Sequence, residues 1–419
     1  MSATDDAKLL DREELRKLFD LRSSYNAHSG GGFTDDPYPI WRELREQAPV
    51  REGIVHQLTG FEGEAMFQGL PFPDRPHFSA FSFEACDAAF RDGELFASAP
   101  DDAGTDGDGV ALMNSMLSMG GTEHRRYRAL VQPSFVPAKA QWWITNWIEQ
   151  TVHALIDNFV DDGAAELNVD FAAAIPVLTI TGSLGIPVEQ ALLVRGGGGA
   201  GNPMAMFELL GPIIGSRREA PQDDLISVLV EAEYTDDDGV SHRLTDEEIY
   251  GFTFLLLAAG SGTTWKQLGI TLAALLQRPE VLAGVRDDRS LLRPAIEESL
   301  RWMPTDPMFS RHVTRDAHFQ GVQLPKGAVM HLCLGAANRD PARWERPDEY
   351  DITRPPKPAL AFGNGPHVCL GMHVARAEIV TAIGALLDRF PDLRLDTDAP
   401  APHITGMYER GPTSVPVLF

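Results

Sequence analysis

The sequence is poor in cysteine, in basic residues and in long apolar runs. A disulfide framework is not expected, because the chain of 419 residues has only three cysteines, an odd number: Cys86, Cys333 and Cys369. Acidic residues number 60 against 36 basic ones, and the net charge of −24 argues against partners such as nucleic acid or anionic lipid. No run reaches the roughly 18 apolar residues of a membrane span, and the first residues do not read as a signal peptide. These absences predict a soluble protein of the reducing cytoplasm, with no membrane contact.

The remaining composition is that of a folded globular protein. Hydrophobic residues make up 43% and charged residues 23% of the chain. Thr245 and Glu248 form a capping-box pattern before an apolar run that continues to Gln277, which predicts one helix of roughly 30 residues, about 45 Å long. Strand-like alternation is confined to short runs such as 311–335. Because no linker divides the chain, we predict a single domain, 1–419, that is mainly α with a minor β region.

The segment from Phe362 to Gly371, Phe-Gly-Asn-Gly-Pro-His-Val-Cys-Leu-Gly, is the most informative part of the sequence. Two glycines and a proline predict a tight loop whose backbone a large flat cofactor can approach. Cys369 then stands at the start of the next helix, where free N–H groups and the positive helix end lower the pKa of a thiol. A soft metal ligand must be a thiolate, so Cys369 is a candidate metal ligand.

The residues alone leave other uses of Cys369 open. A buried structural cysteine after a turn is the common case. Zinc is a second reading, because His367, Cys369 and His373 cluster, although no second cysteine pair stands at zinc spacing. A nucleophilic cysteine paired with His367, as in a hydrolase, is a third. Covalent c-type haem would need Cys-x-x-Cys-His, which the chain lacks.

The same segment resembles the haem-binding signature of the cytochrome P-450 superfamily, Phe-x-x-Gly-x-x-x-Cys-x-Gly. The signature positions fall on Phe362, Gly365, Cys369 and Gly371. Bacterial members carry a histidine two residues before the cysteine, here His367. The resemblance extends in order over nearly the whole chain. It implies the P-450 fold with its long helix over a b-type haem (iron protoporphyrin IX). Cofactor contacts are then expected from the loop, including Gly363, and Cys369 is the proximal thiolate that favours O–O cleavage.

The resemblance also implies four donors for the two haem propionates. His124 and Arg128 stand four apart on a predicted helix, as in the His-x-x-x-Arg pattern of the family. Arg311 precedes the central sheet, and His367 lies in the cysteine loop. Charge-assisted hydrogen bonds of this kind are strong.

Glu298 and Arg301 share one helix face and match the family's Glu-x-x-Arg brace below the haem. The family places a third donor in a Pro-x-Arg-x element, and the corresponding segment of this chain is Pro347–Tyr350. Glu349 stands there instead of a cation. We therefore expect the usual three-member network not to form unchanged.

Inside the long helix, Ala259-Gly260-Ser261-Gly262-Thr263-Thr264 combines two glycines with three hydroxyls. Each glycine costs the helix roughly 1 kcal/mol relative to alanine, and the hydroxyls compete for backbone carbonyls. A helix crossing that needs small residues is one explanation. The segment also resembles the family's oxygen-binding groove. That resemblance implies haem contact at Gly260 and roles for Thr263 and Thr264 in handling dioxygen and protons. Gly262 replaces the usual acid, so we expect Ser261, Thr264 or ordered water to carry part of the proton relay.

The function implied is a haem-thiolate monooxygenase that inserts one oxygen atom from O2 into a small, mostly hydrophobic substrate by hydroxylation, epoxidation or O-dealkylation. A peroxide-dependent peroxygenase and a non-catalytic haem sensor are the alternatives. Apolar pocket candidates are Phe252, Leu256, Met308, Phe309 and Met407. The stretch 184–224 looks short for the family's two lid helices, and we predict a shortened or partly open lid.

Electrons are expected from a ferredoxin or flavodoxin with its NAD(P)H reductase. The glycines of 195–201 formally contain Gly-x-Gly-x-x-Gly, but without strand–helix context they predict a flexible loop, not a nucleotide site. A second loop is predicted at Asp101–Gly109. Because ferredoxins and flavodoxins are acidic, the chain needs a basic docking patch near Cys369. Its candidate members are Arg125, Arg126, Arg343, Lys357 and Arg376.

Overall fold

The computed structural model describes residues 12–18, 36–61, 72, 74–100, 116–193, 203–236 and 238–419. Both predicted loops, 101–109 and 195–201, lie outside these ranges. The α-helices are α1 (Arg12–Leu18), α2 (Tyr38–Gln47), α3 (Val55–Leu58), α4 (Phe83–Arg91), α5 (Gly121–Val131), α6 (Ala140–Trp143), α7 (Glu149–Asp157), α8 (Ala174–Ser183), α9 (Val188–Leu193), α10 (Pro203–Glu219), α11 (Leu225–Glu231), α12 (Asp246–Leu276), α13 (Pro279–Asp287), α14 (Leu292–Trp302), α15 (Leu334–Ala337) and α16 (Met372–Arg389).

The strands are short and lie mainly at one side of the helices. A five-stranded sheet has the order β1-β2-β10-β7-β3, with β10 parallel to β2 and antiparallel to β7. The prediction of a mainly α fold with a minor β region is confirmed. The strands are β1 (Val50–Glu52), β2 (His77–Ala80), β3 (Phe96–Ala97), β4 (Ala164–Glu166), β5 (Glu233–Thr235), β6 (Ser241–Arg243), β7 (Met308–Val313), β8 (Ala317–Phe319), β9 (Val322–Leu324), β10 (Val329–Cys333), β11 (Arg394–Leu395), β12 (Ile404–Thr405), β13 (Gly411–Pro412) and β14 (Pro416–Leu418).

The long helix α12 spans 31 residues, as the sequence predicts. The Thr245 hydroxyl accepts the Glu248 N–H at 3.2 Å, and the Glu248 carboxylate accepts the Thr245 N–H at 2.7 Å, so the capping box forms. Its C-terminal half is buried from Thr264 to Leu276, because α8, α14 and α16 pack around it. The helix thus runs through the interior and can place side chains beside the cysteine loop.

A buried ion-pair network joins α14 to the segment that leads to the cysteine loop. Arg301 donates two hydrogen bonds to the Glu298 carboxylate, at 2.8 and 2.7 Å. Arg354 adds a third at 3.0 Å, and the N–H of Asp351 a fourth at 2.8 Å. The expectation that the three-member network would not form unchanged is therefore wrong. Its third cation is Arg354, since the chain turns back on α14 after Glu349.

The lid region contains one long and one short helix. Helix α10 has 17 residues, whereas α9 has six, and residues 194–202 between them lie outside the described ranges. A shortened lid therefore stays a prediction. Within the described ranges, no single helix is both long and apolar enough to cross a membrane. Only the α12–α13 pair, bent by 101°, passes that test jointly, on length and composition.

Candidate haem site

The loop before Cys369 is shaped by glycine. Gly363 and Gly365 have φ angles of +68° and +71°, in the left-handed region that side chains disfavour. A Cβ at Gly365 would lie 2.2 Å from the carbonyl oxygen of Phe90, so only glycine fits against α4. The sequence therefore places glycine where the loop both turns and touches another helix.

Polar contacts of Asn364 hold the loop against the same helix, α4. The Asn364 side chain accepts the N–H of Gly365 at 2.7 Å and donates to the Asp87 carboxylate at 2.5 Å. The N–H of Cys369 donates to the carbonyl of Phe362 at 2.9 Å. The cysteine thus leaves a closed loop and precedes α16, which begins three residues later.

The Cys369 side chain is partly exposed at the end of this loop. Burial raises the pKa of its thiol, while a backbone hydrogen bond from Gly371 and the charges of Arg128 and Arg376 oppose that rise. A bound cation such as iron would favour the thiolate much more strongly. The sulfur is therefore suited to act as a metal ligand, because the bound cation neutralises the charge of the thiolate.

Two of the alternative readings of Cys369, the zinc ligand and the hydrolase nucleophile, find no support in the geometry. Across the described ranges, no group of three or more His, Cys, Asp or Glu side chains can hold a metal ion, so His367, Cys369 and His373 do not form a zinc site. His367 stacks on His124 and makes no hydrogen bond with the thiol, which leaves the nucleophile–base pair of a hydrolase without its contact.

The predicted propionate donors gather around the loop. The rings of His124 and His367 stack with centroids 3.9 Å apart. Arg128 donates to the carbonyl of Val368 at 2.7 Å. The positive charge of Arg311 adds to burial and to His124 in lowering the pKa of His367, which places its guanidinium beside the same ring. Four side chains from α5, β7 and the cysteine loop therefore converge.

Two of these donors carry unused hydrogen-bonding capacity. His124 is 2% exposed, and its Nε2 has no partner among the described residues. Arg311 donates to the carbonyl of Ser310 at 2.8 Å and lies 5.1 Å from the centre of the Phe90 ring. Burial lowers its pKa to about 10. In the described part of the chain Arg311 has no carboxylate partner. A buried donor such as His124 and a half-buried cation such as Arg311 need an acceptor, and a ligand with acidic groups would supply it.

One face of α12 is open. Ala258 and Ala259 are exposed although the residues just before them are buried, and Thr263 is partly exposed on the same side. A Cβ at Gly262 would meet nothing within 4 Å. Small residues therefore leave free space along the middle of the long helix, as the groove resemblance predicts.

The other two predicted groove residues lie on a different face. A Cβ at Gly260 would come within 3.2 Å of Ile180, so Gly260 serves the close packing of α12 on α8. Thr264 is 8% exposed, and its hydroxyl hydrogen-bonds with the buried carboxyl of Glu378. Residues 260 and 264 are four apart and point together toward α8 and α16, so the haem contact expected at Gly260 and the catalytic role expected of Thr264 stay predictions.

The surrounding side chains that we singled out are distributed as follows. Phe252, Leu256, Met308 and Met407 are buried, and Phe309 is half-buried. The cationic candidates for partner docking fall in three places. Arg125 and Arg126 lie on α5, Lys357 donates to the carbonyl of Arg343 at 3.1 Å, and Arg376 binds Glu297 at 2.9 Å.

The geometry fits haem b. The site combines a thiol at a glycine-cradled loop, a long helix with an open face, and two groups that lack a partner among the described residues, the His124 Nε2 and, for a carboxylate, the Arg311 guanidinium. A flat iron-containing cofactor with two acidic side groups matches all four features. These are the properties of a haem-thiolate protein.

Comparison with known proteins agrees with this reading. Residues 204–406 match the Cytochrome P450 family. The chain is 31% identical over 402 residues to Cytochrome P450 monooxygenase PikC of Streptomyces venezuelae, covering 90% of this chain and 91% of the relative. It is 35% identical over 327 residues to Nocardicin C N-oxygenase of Nocardia uniformis subsp. tsuyamanensis, covering 74% and 80%. A crystal structure of P450BioI in complex with hexadec-9Z-enoic acid ligated acyl carrier protein superposes with a TM-score of 0.79 at 30% identity, covering 92% and 98%.

The chain belongs to the cytochrome P450 family. It is an oxidoreductase of the monooxygenase type that binds haem b, acts on a small organic substrate and receives electrons from a redox partner.

Proposed function

We propose that residues 1–419 form one monooxygenase unit that inserts one oxygen atom from O2 into a small, mostly hydrophobic substrate. Cys369 binds the haem iron in this proposal, and His124, Arg128, Arg311 and His367 hold the propionates. The observation that carries it is the convergence of unused buried donors on the cysteine loop. Haem b, when bound, supplies the one-electron and dioxygen chemistry.

The protein's own groups prepare the pocket. The charges of Arg128 and Arg376 favour the thiolate of Cys369. Burial lowers the pKa of His124 to about 4 and that of His367 to about 3, so both rings are neutral at pH 7 and each still carries one N–H donor. The guanidinium groups of Arg128 and Arg311 supply permanent positive charge toward the propionates.

Thr263 holds and moves protons at the open face of α12 in this proposal. Its neighbour Gly262 offers no carboxyl group, so a proton reaches the Thr263 hydroxyl from Ser261 or from ordered water. Support comes from the partial exposure of both hydroxyl residues and from the free space at Gly262. Thr264 contributes indirectly, because its hydroxyl is engaged with Glu378.

We further propose that the electron donor is a ferredoxin or flavodoxin with its NAD(P)H reductase, and that the protein works in the cytoplasm. The exposed cations Arg125 and Lys357 suit an acidic partner, and Arg376 is close enough to Cys369 to lower the pKa of the thiol. Such surface charges act mainly on the rate of association and make it dependent on salt.

The test has two stages. Purified protein is reduced and exposed to carbon monoxide, and a strongly red-shifted Soret band is expected. If the protein stays colourless after haem reconstitution, the proposed function is wrong. Thr263→Ala is then compared with Thr271→Ala, which loses a hydroxyl two turns further along α12, where Thr271 bonds the carbonyl of Gln267. Only Thr263→Ala should lower product formed per NADH. Equal coupling in both variants would contradict the role of Thr263, and product formed with peroxide alone would favour a peroxygenase.

A further inference from the structure

A rigid turn between α14 and β7 carries the acidic residue Asp306. Its neighbour Thr305 receives a hydrogen bond from Arg410 N–H at 2.6 Å, returns one to the Arg410 carbonyl at 2.8 Å, and donates its N–H to the Gln267 side chain on α12 at 2.9 Å. On the other side of Asp306, the carbonyl of Pro307 accepts the N–H of Gly335 in α15 at 3.0 Å. Asp306 is thus held on both sides, and its position does not depend on a bound ligand.

The Asp306 carboxyl lies between the long helix and the cysteine loop. It is partly exposed within an otherwise buried turn, and burial raises its pKa to about 6 against the charge of Lys266 on α12. Its own charge adds to burial in raising the pKa of Cys369. Because Thr305 bonds Gln267, the next residue lies beside α12, and the electrostatic effect of Asp306 on Cys369 shows that its carboxyl also faces the side of the thiol.

The surroundings leave this carboxylate without a dedicated partner. Lys266 is ion-paired with Glu409 in the C-terminal turn. Asp306 makes no hydrogen bond or ion pair with any residue that the structure describes. One ammonium, that of Lys266, therefore faces two carboxylates, those of Glu409 and Asp306. A partly buried carboxylate with no bonded cation loses hydration without compensation, and a cationic ligand would supply it.

Room for that ligand exists beside the same cluster. Gly262 stands four residues before Lys266, on the same face of α12, and a Cβ there would meet nothing within 4 Å. A side chain at 262 would fill the space next to the charged cluster. Gly262 thus stands where the family usually has an acid, and it also leaves a gap that a substrate group can enter.

We propose that Asp306 is an anionic recognition site in the oxygenation cavity and that the substrate carries a cationic nitrogen, an amine or quaternary ammonium, that binds there. This inference rests on the proposed function and specifies its substrate class. The remainder of the substrate is apolar and occupies the open face of α12. Asp306 acts on binding and orientation and takes no part in oxygen insertion.

The test uses ligands that differ only in charge. Holoprotein is titrated with a series of phenylalkyl-trimethylammonium ions of increasing chain length and with their neutral tert-butyl isosteres, since a quaternary nitrogen cannot itself ligate iron. The Kd is read from the spin-state shift of the Soret band. Wild type should bind the best cation at least about tenfold more tightly than its isostere, equivalent to about 1.4 kcal/mol.

Asp306→Asn keeps the size of the side chain and should reduce the preference to about twofold or less. Asp287→Asn removes the same charge from an exposed position on α13 and should leave the preference intact. Failure of every cation to bind, or a preference that survives Asp306→Asn, would overturn the inference. The carbon monoxide spectrum of each holoprotein distinguishes failure of the Asp306 inference from failure of the proposed function. A normal spectrum without a preference for cations contradicts the role of Asp306 and leaves the monooxygenase proposal intact. An abnormal wild-type spectrum contradicts the proposed function itself.

Discussion

His124 of α5 and His367 of the cysteine loop stack their rings with centroids 3.9 Å apart. Burial, reinforced by neighbouring cations, holds the pKa of each ring far below its ordinary value of 6.5. A neutral pair can pack closely without repulsion, whereas two imidazolium ions could not. The stack therefore fixes α5 against the loop and presents N–H donors to the pocket at any pH near neutrality.

Replacing His124 by Phe keeps a ring in the stack but removes its donor. We expect haem to dissociate roughly 10 to 100 times faster, because a hydrogen bond to a charged acceptor contributes about 1.5–3 kcal/mol. Transfer of haem to excess apomyoglobin measures the rate. His153→Phe, on the exposed face of α7, serves as the control and should retain the wild-type rate. Equal rates in the two variants would show that His124 does not bind the cofactor.

The Glu298 network predicts a graded loss of stability. Arg301 is 2% exposed and makes two of the bonds to Glu298, so Arg301→Leu leaves a buried carboxylate half-paired and should cost about 3–5 kcal/mol. Arg354→Ala should cost less, about 1–3 kcal/mol. Arg346→Ala breaks ion pairs at the surface and should cost under about 1 kcal/mol. Urea unfolding of the holoproteins gives the order, and a network without structural importance would give three similar values.

Glu378 should make the stability fall as pH rises. Burial raises the pKa of its carboxyl from 4.5 to about 8, against hydrogen bonds from Thr179 and Thr264. Between those two values the folded protein keeps a proton that the unfolded chain releases. This one group therefore lowers the free energy of unfolding by about 1.4 kcal/mol per pH unit in that window, and its contribution is complete only below pH 4.5.

Glu378→Gln should flatten this dependence, since the amide keeps hydrogen-bonding atoms and does not titrate. The free energy of unfolding at pH 5.5 and 7.5 is the measurement. Glu280→Gln on the exposed face of α13 is the control and should leave the slope unchanged. A wild-type slope that persists in Glu378→Gln would assign the pH dependence to other groups.

The features that sequence could predict depend on local rules. The cysteine loop follows from two glycines and a proline, and α12 follows from the capping box of Thr245 and Glu248 with the apolar run behind it. Neither needs knowledge of the rest of the fold. The convergence of His124, Arg311 and the loop could be expected only from the family resemblance, because each residue comes from a distant part of the chain.

What the sequence could not show concerns rotation and path. Successive helical residues are turned by 100°, which carries Thr264 to the α16 side, and the sequence does not tell which face of α12 is open. Arg354 was missed because the third donor was sought a few residues too early, and only the path of the loop brings it back to Glu298. Asp306 did leave a signal. A lone acid within the apolar turn from Pro304 to Phe309 is unusual for buried chain and could have been singled out.

The contact of Asn364 with Asp87 spans 277 positions of the chain, and Gly365 presses on the Phe90 carbonyl beside it. A growing polypeptide on the ribosome contains α4 long before it contains the cysteine loop. The surface that shapes the loop and the thiol that the loop carries are therefore present together only after Cys369 has been added. A chain that ends before this residue has the surface of α4 and lacks the thiol.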